Sequence, residues 1–169
     1  ELKSSIIFEA EQYIPVPLKE VNLSFQKLEL PNQQKETLDI GLVNEMTITV
    51  QESDTARSSG GETLPPVFST PRVISYMERT AHFLLLKHVQ PGQTSVGTTV
   101  NIRHLAATPV GMQVRFRAEV LEVDRRRVRF KIEAWDAVEK IAEGEHERFI
   151  IDESRFIEKL NEKAKLIGG

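Results

Sequence analysis

Two stretches of the chain alternate strictly between apolar and charged positions. Val114, Phe116, Ala118 and Val120 alternate with Arg115, Arg117 and Glu119, and Val128, Phe130, Ile132 and Ala134 alternate with Arg129, Lys131 and Glu133. Successive side chains of a strand point to opposite faces, so this period builds antiparallel strands with one face on a core and one in water. Strands are predicted over Ser95–Ala106, Met112–Val123, Val128–Asp136 and Ile141–Ile151. DRRR (Asp124–Arg127) is the hairpin tip between the middle pair. Upstream, the β-branched run MTITV (Met46–Val50) adds another strand.

Between MTITV and the meander the period changes. Val73, Ile74, Met77, Ala81, Leu84 and Leu85 recur at helical spacing. Thr70 suits the N-cap, Pro71 the first helical position, and Pro91-Gly92 the stop. SSGGETLPP (Ser58–Pro66) reads as a loop, and Ser154–Leu166 as a short charged helix. The order predicts an α+β domain, one long central helix on a curled antiparallel sheet of about five strands.

Residues 1–36 are interrupted by Pro15, Pro17 and Pro31, although VNLSFQKLEL (Val21–Leu30) alternates loosely enough for a strand. They are read as an N-terminal arm, residues 37–156 as the domain and residues 157–169 as a helical tail. A chain of 169 residues is long enough to bury a real core. Its net charge of −3 provides no broad basic field for nucleic acid or an anionic membrane. With no cysteine there is no disulfide framework, thiolate metal site or cysteine nucleophile. No apolar run approaches the roughly 20 residues of a membrane helix. ELKSSIIFEAEQ at the start has acids too early for a secretory signal, so a cytoplasmic protein is expected.

Assigning faces exposes polar residues at inward positions. Val100, Ile102, His104 and Ala106 share one face of their strand, just ahead of a Thr-Pro turn. In the last strand Glu143, Glu145 and Glu147 take the wet face, which turns Gly144, His146, Arg148 and Ile150 towards the helix. A buried arginine is costly unless paired, so Arg148 calls for a buried carboxylate or an anionic ligand. Glu78 shares a helix edge with Ile74, Ala81 and Leu85. Each has a plainer reading. His104 fits a satisfied core histidine, Glu78 a surface pair with His82, and Thr70 a simple cap. Arg148 fits a bridge to Glu78 or Glu147, Gly97 a close helix–sheet approach, and DRRR a solvated tip, though three arginines also suit a phosphate. Spacing alone brings Glu, His, Thr and Arg together where helix meets sheet, without naming a reaction.

Three motifs add more. FSTPRVISYMERTAH (Phe68–His82), SVGTTVNIRHLAATPVG (Ser95–Gly111) and GEHERFII (Gly144–Ile151) together resemble the fluoroacetyl-CoA thioesterase family of the hotdog superfamily. The likeness runs over Ile40–Phe156, without a gap from Val67 to Arg148. It implies the hotdog fold and hydrolysis of a short- or medium-chain acyl-CoA thioester to free acid and coenzyme A. Carried over by position, it makes Thr70, Glu78 and His104 catalytic, and Gly97, His104 and Arg148 substrate-binding. Glu78 or Thr70 would be the nucleophile or activate water, and His104 the general base that later protonates the thiolate. The backbone N–H of Gly97 would approach the thioester carbonyl. No metal or cofactor is implied. A homodimer with sheets joined edge to edge and active sites at the interface is.

One departure matters. Fluoroacetyl-specific enzymes carry gating phenylalanines in the loop ahead of the helix, whereas Arg57–Pro66 here is shorter, rich in Ser and Gly, and without an aromatic residue. An acyl group other than fluoroacetyl is therefore expected. Two rival readings are a non-catalytic acyl-CoA-binding hotdog module and a hotdog hydratase or dehydratase. Thr70, Glu78 and His104 together favour an enzyme, and the H-AATP-G register favours a thioesterase.

Overall fold

The computed structural model describes residues 37–167. The arm over 1–36, with the strand expected at Val21–Leu30, lies outside the described residues. The chain lays down β1 (Val43–Thr49), a 3-10 turn (Glu52–Asp54), α1 (Ala56–Gly60), α2 (Thr70–Leu86) and β2 (Gln93–His104). It continues with β3 (Gln113–Asp124), β4 (Arg127–Trp135), β5 (Lys140–Asp152) and α3 (Glu153–Lys165). The strands form one antiparallel five-stranded sheet in the order β1-β3-β4-β5-β2, the α+β architecture expected.

The alternating residues make the core. Val114, Phe116, Ala118 and Val120 of β3 and Val128, Phe130, Ile132 and Ala134 of β4 are fully buried. Register sets Phe116 against Ala134 and Val120 against Phe130. α2 lays Val73, Met77, Ala81, Leu84 and Leu85 on this face. Burying each large side chain contributes roughly 1.5–3 kcal/mol, so the apolar stripe fixes how α2 sits and where its edges point. Gly144 of β5 pairs with Ile102 of β2, and any Cβ there would run into the Asn101 carbonyl oxygen, which belongs to the backbone and cannot swing aside.

Several local expectations change. Thr70 is the first residue of α2, and Ser69 occupies the N-cap. α2 ends at Leu86, ahead of Pro91-Gly92, because Lys87 and His88 donate back to Leu84 and Leu85 and tighten the last turn. β1 reaches back from Met46 to Val43, which pairs with Glu119 of β3. The loop read over Ser58–Pro66 opens with the end of α1, capped by the Thr55 hydroxyl accepting from Ser58 N–H. The DRRR tip closes on Arg125 and Arg126, with Arg125 at φ 55°.

Candidate active site

α2 begins beside the end of β2. Phe68 N–H donates to the Thr108 carbonyl at 2.9 Å and Ser69 N–H to the Asp54 carbonyl at 3.0 Å. These bonds fix Thr70, whose Oγ1 lies 2.9 Å from His104 Nδ1. Ser69 makes no side-chain cap bond, and its buried Oγ has no hydrogen-bond partner among the described residues. The first N–H groups of α2 therefore have no side-chain cap, and they favour negative charge. His104 Nε2 is likewise buried and unpartnered among the described residues. Burial lowers the pKa of His104 below its ordinary 6.5, against the opposing pull of the Ala106 backbone. The ring is neutral at pH 7 and can accept a proton. A cleft of about 350 Å³ opens over the pair, bounded by Ala56, Phe68, Leu105 and Ala107.

A second group forms farther along α2. Glu78 lies over Gly97, where a Cβ would stand 2.5 Å from Glu78 Oε1 and 3.1 Å from His146 Cε1. Glycine is what lets the carboxylate meet the strand. Arg148 is buried, with Nε donating to Ser95 Oγ at 2.9 Å and Nη2 to the Ser95 carbonyl at 2.8 Å. Its Nη1 faces His146 Nε2 at 3.1 Å and the Glu78 carbonyl at 3.4 Å. The direct partners of the inward arginine are thus neutral acceptors. Burial lowers its pKa, and the Glu78 carboxylate opposes that. His82 turns to Ser95, with Nδ1 3.1 Å from Oγ, in place of the Glu78 pairing that helical spacing suggested.

The structure therefore joins Thr70 to His104, and Glu78 to Gly97 and Arg148, but keeps the two groups apart. Eight residues of α2 separate Thr70 from Glu78, a rise of about 12 Å. Seven residues of β2 separate Gly97 from His104, about 23 Å.

Asp54 escaped the sequence reading. It is buried and accepts from Arg72 Nε at 2.7 Å, the Tyr76 hydroxyl at 3.3 Å and Gln51 N–H at 3.0 Å. It ties the first turns of α2 to the turn ahead of them and so places Thr70. The available signal was an acid at the third position of a short helical turn after Gln51. Arg127 of the DRRR tip is paired with Glu122, Asp124 and Glu147. Among the described residues no His, Cys, Asp and Glu side chains group to hold a metal, and no helix is long and apolar enough to cross a membrane.

A family model, Fluoroacetyl-CoA-specific thioesterase, matches residues 50–154, a span that includes all five candidate residues. The chain belongs to that family. The fluoroacetyl-CoA thioesterase of Streptantibioticus cattleyicolor is 35% identical over 99 residues, covering 59% of this chain and 71% of that protein. A solved structure of the fluoroacetyl-CoA thioesterase superposes with a TM-score of 0.72 at 29% identity, over 76% of this chain and 98% of its own. A Thermus thermophilus thioesterase superfamily member gives a TM-score of 0.68 at 27% identity, over 75% of this chain and 93% of its own. A hot-dog-like protein from Thermanaerovibrio acidaminovorans gives 0.68 at 26%, over 73% and 91%. This fluoroacetyl-CoA-specific thioesterase family member has the hotdog fold, as the motifs implied.

Proposed function

We propose that this chain hydrolyses a short- or medium-chain acyl-CoA thioester to the free acid and coenzyme A, as a cytoplasmic homodimer. The observation that carries the reading is the 2.9 Å contact between Thr70 Oγ1 and His104 Nδ1 at a helix N-terminus without a side-chain cap. Family membership supplies the substrate class. His104 Nδ1 takes the hydroxyl proton as Thr70 Oγ1 adds to the thioester carbonyl carbon. The oxyanion develops against the first N–H groups of α2. The C–S bond breaks, and the proton on His104 passes to the departing thiolate. Glu78 activates the water that cleaves the acyl-threonine ester, and the proton returns to Thr70 as the acid leaves.

The distance between the two groups supports the dimer. Among the described residues β2, 12 residues long, lies at an edge of the sheet, and a long edge strand invites pairing. A second copy paired antiparallel along it carries the His104 end of one strand towards the partner's Gly97. That arrangement assembles Thr70 and His104 of one protomer with the partner's Glu78, Gly97 and Arg148. An Arg57–Pro66 loop without aromatic residues supports an acyl group other than fluoroacetyl.

A thiol-release assay over CoA thioesters from acetyl to octanoyl tests the reading, with Glu78→Gln and His104→Ala beside the wild type. Wild-type turnover with a loss of at least about 100-fold in each variant is expected. No release from any thioester would refute an enzyme, and tight acyl-CoA binding without turnover would favour the binding module. Full turnover in both variants would refute the site.

A further inference from the structure

β5 turns one titratable residue inward that the proposed chemistry does not use. His146 is 1% exposed and lies beneath α2, its ring stacked on Phe130 of β4 with centroids 6.4 Å apart. Nδ1 stands 2.8 Å from the Thr99 carbonyl oxygen. A carbonyl can only accept, so Nδ1 carries the proton and the neutral ring presents Nε2 as an acceptor. That nitrogen faces Arg148 Nη1 at 3.1 Å and Glu78 Oε1 at 3.7 Å. In this tautomer it takes an N–H from the guanidinium and has nothing to donate to the carboxylate.

Ser95 holds the other side of the same guanidinium. Its Oγ accepts from Arg148 Nε at 2.9 Å, and the same hydroxyl lies 3.1 Å from His82 Nδ1. Arg148 is thus gripped from both sides by neutral acceptors. None of them cancels its charge, and the Glu78 carboxylate is the negative group that faces it. A packing role alone would not account for a ring with both nitrogens engaged, one on the backbone of β2 and one on the cation.

We infer that His146 is a positioning residue, whose neutral ring, anchored on Thr99, locks Arg148 and through it holds the Glu78 carboxylate over Gly97. This role rests on the thioesterase reading of the same site. The charged groups facing the ring are Arg148 on β5 and Glu78 on α2, with Glu147 acting from the opposite face of β5, while β4 presents Phe130 and β2 the Thr99 carbonyl. Burial lowers the pKa of His146 below 6.5, and Arg148 adds to it, against Thr99, Glu78 and Glu147. The ring stays neutral at pH 7, the form that the grip on Arg148 requires.

His146→Leu, His146→Gln and Ser95→Ala are compared with the wild type for kcat and KM on the best CoA thioester, with thermal unfolding beside them. Gln keeps an acceptor for Arg148, and Ser95→Ala loosens the opposite grip with little change in volume. His146→Leu should lose about 10- to 100-fold in kcat with KM within about 3-fold, since a displacement near 1 Å has that effect. His146→Gln should recover most of the loss, and Ser95→Ala should fall about 10-fold in kcat. Histidine nitrogen shifts at pH 7 should show the Nδ1–H tautomer for His146. Folded His146→Leu with wild-type kcat, equal loss in the Leu and Gln variants, or a loss confined to KM would each overturn the role. If His146→Leu fails to fold, unchanged kcat in Ser95→Ala overturns it, as does an imidazolium or Nε2–H tautomer in the wild type. A wild type without turnover sinks the thioesterase reading and this role with it, whereas an active wild type with indifferent variants sinks the role alone.

Discussion

Gly97→Ala separates catalysis from stability. The added Cβ would stand 2.5 Å from Glu78 Oε1 and 3.1 Å from His146 Cε1. An ordinary van der Waals contact begins at about 3.5 Å, so the carboxylate must retreat by about 1 Å. Glu78 can do so, because its side chain is 35% exposed and its carboxylate is the far end of a flexible chain. His146, buried and anchored on Thr99, has to give by only a few tenths of an ångström. The overpacking cost to folding should stay near the low end of its usual range, about 1 kcal/mol. The cost to the reaction should be larger, because a displacement of about 1 Å at a reacting group lowers the rate about 100-fold, or about 2.7 kcal/mol. Steady-state thiol release gives kcat, and a urea titration of the same preparation gives stability. A folded Gly97→Ala protein with wild-type kcat would refute the placement of Glu78 in the reaction. A stability loss well above 3 kcal/mol would refute the claim that the carboxylate can yield.

Other perturbations test other links. Asp54→Ala strands the Tyr76 hydroxyl, the Gln51 N–H and the Arg72 guanidinium, and should lower stability by about 3 kcal/mol in a urea titration. An unchanged midpoint would show that Asp54 does not anchor the start of α2. Burial lowers the pKa of His82, His104 and His146 below 6.5, so on acidification the unfolded chain takes up protons first. Their contribution is complete above about pH 6.5 and is lost as pH falls below it. Urea midpoints should drop between pH 7.5 and 5.5, and His146→Gln should flatten the slope; a flat wild-type profile would contradict this. Glu133 enters only below its ordinary 4.5, since its ion pairs with Lys140 and Lys131 outweigh the burial that would raise it. Thr70→Ser keeps the hydroxyl on His104 and should retain turnover within about 10-fold, whereas Thr70→Ala should lose at least about 100-fold. Equal rates in both would exclude Thr70 as nucleophile.

Much of the fold was legible because one physical signal carried it. The two-residue alternation through Val114–Val120 and Val128–Ala134 and the helical spacing from Val73 to Leu85 both survive as buried faces. Ends were less legible, because they depend on which backbone groups find partners. Ser69, without a cap bond, takes the N-cap that the sequence pattern assigns to Thr70, and α2 stops before Pro91 through its own tightened turn. At the site, alternation turned His104, His146 and Arg148 inward, but it could not tell which atoms would face Arg148. Ser95, small and unremarkable in sequence, supplies two of its acceptors. Asp54 was out of reach for a related reason, since its partners Arg72 and Tyr76 meet it only after α2 folds back.

The site itself is tested most directly by combining two inactive subunits. Glu78→Gln and His104→Ala are refolded together from denaturant, and thiol release is compared with each variant alone. If Thr70 and His104 of one protomer work with the partner's Glu78, half the dimers are mixed and each holds one intact site, so about a quarter of wild-type activity should return. A mixture that forms heterodimers yet stays as inactive as its parents would contradict the shared site.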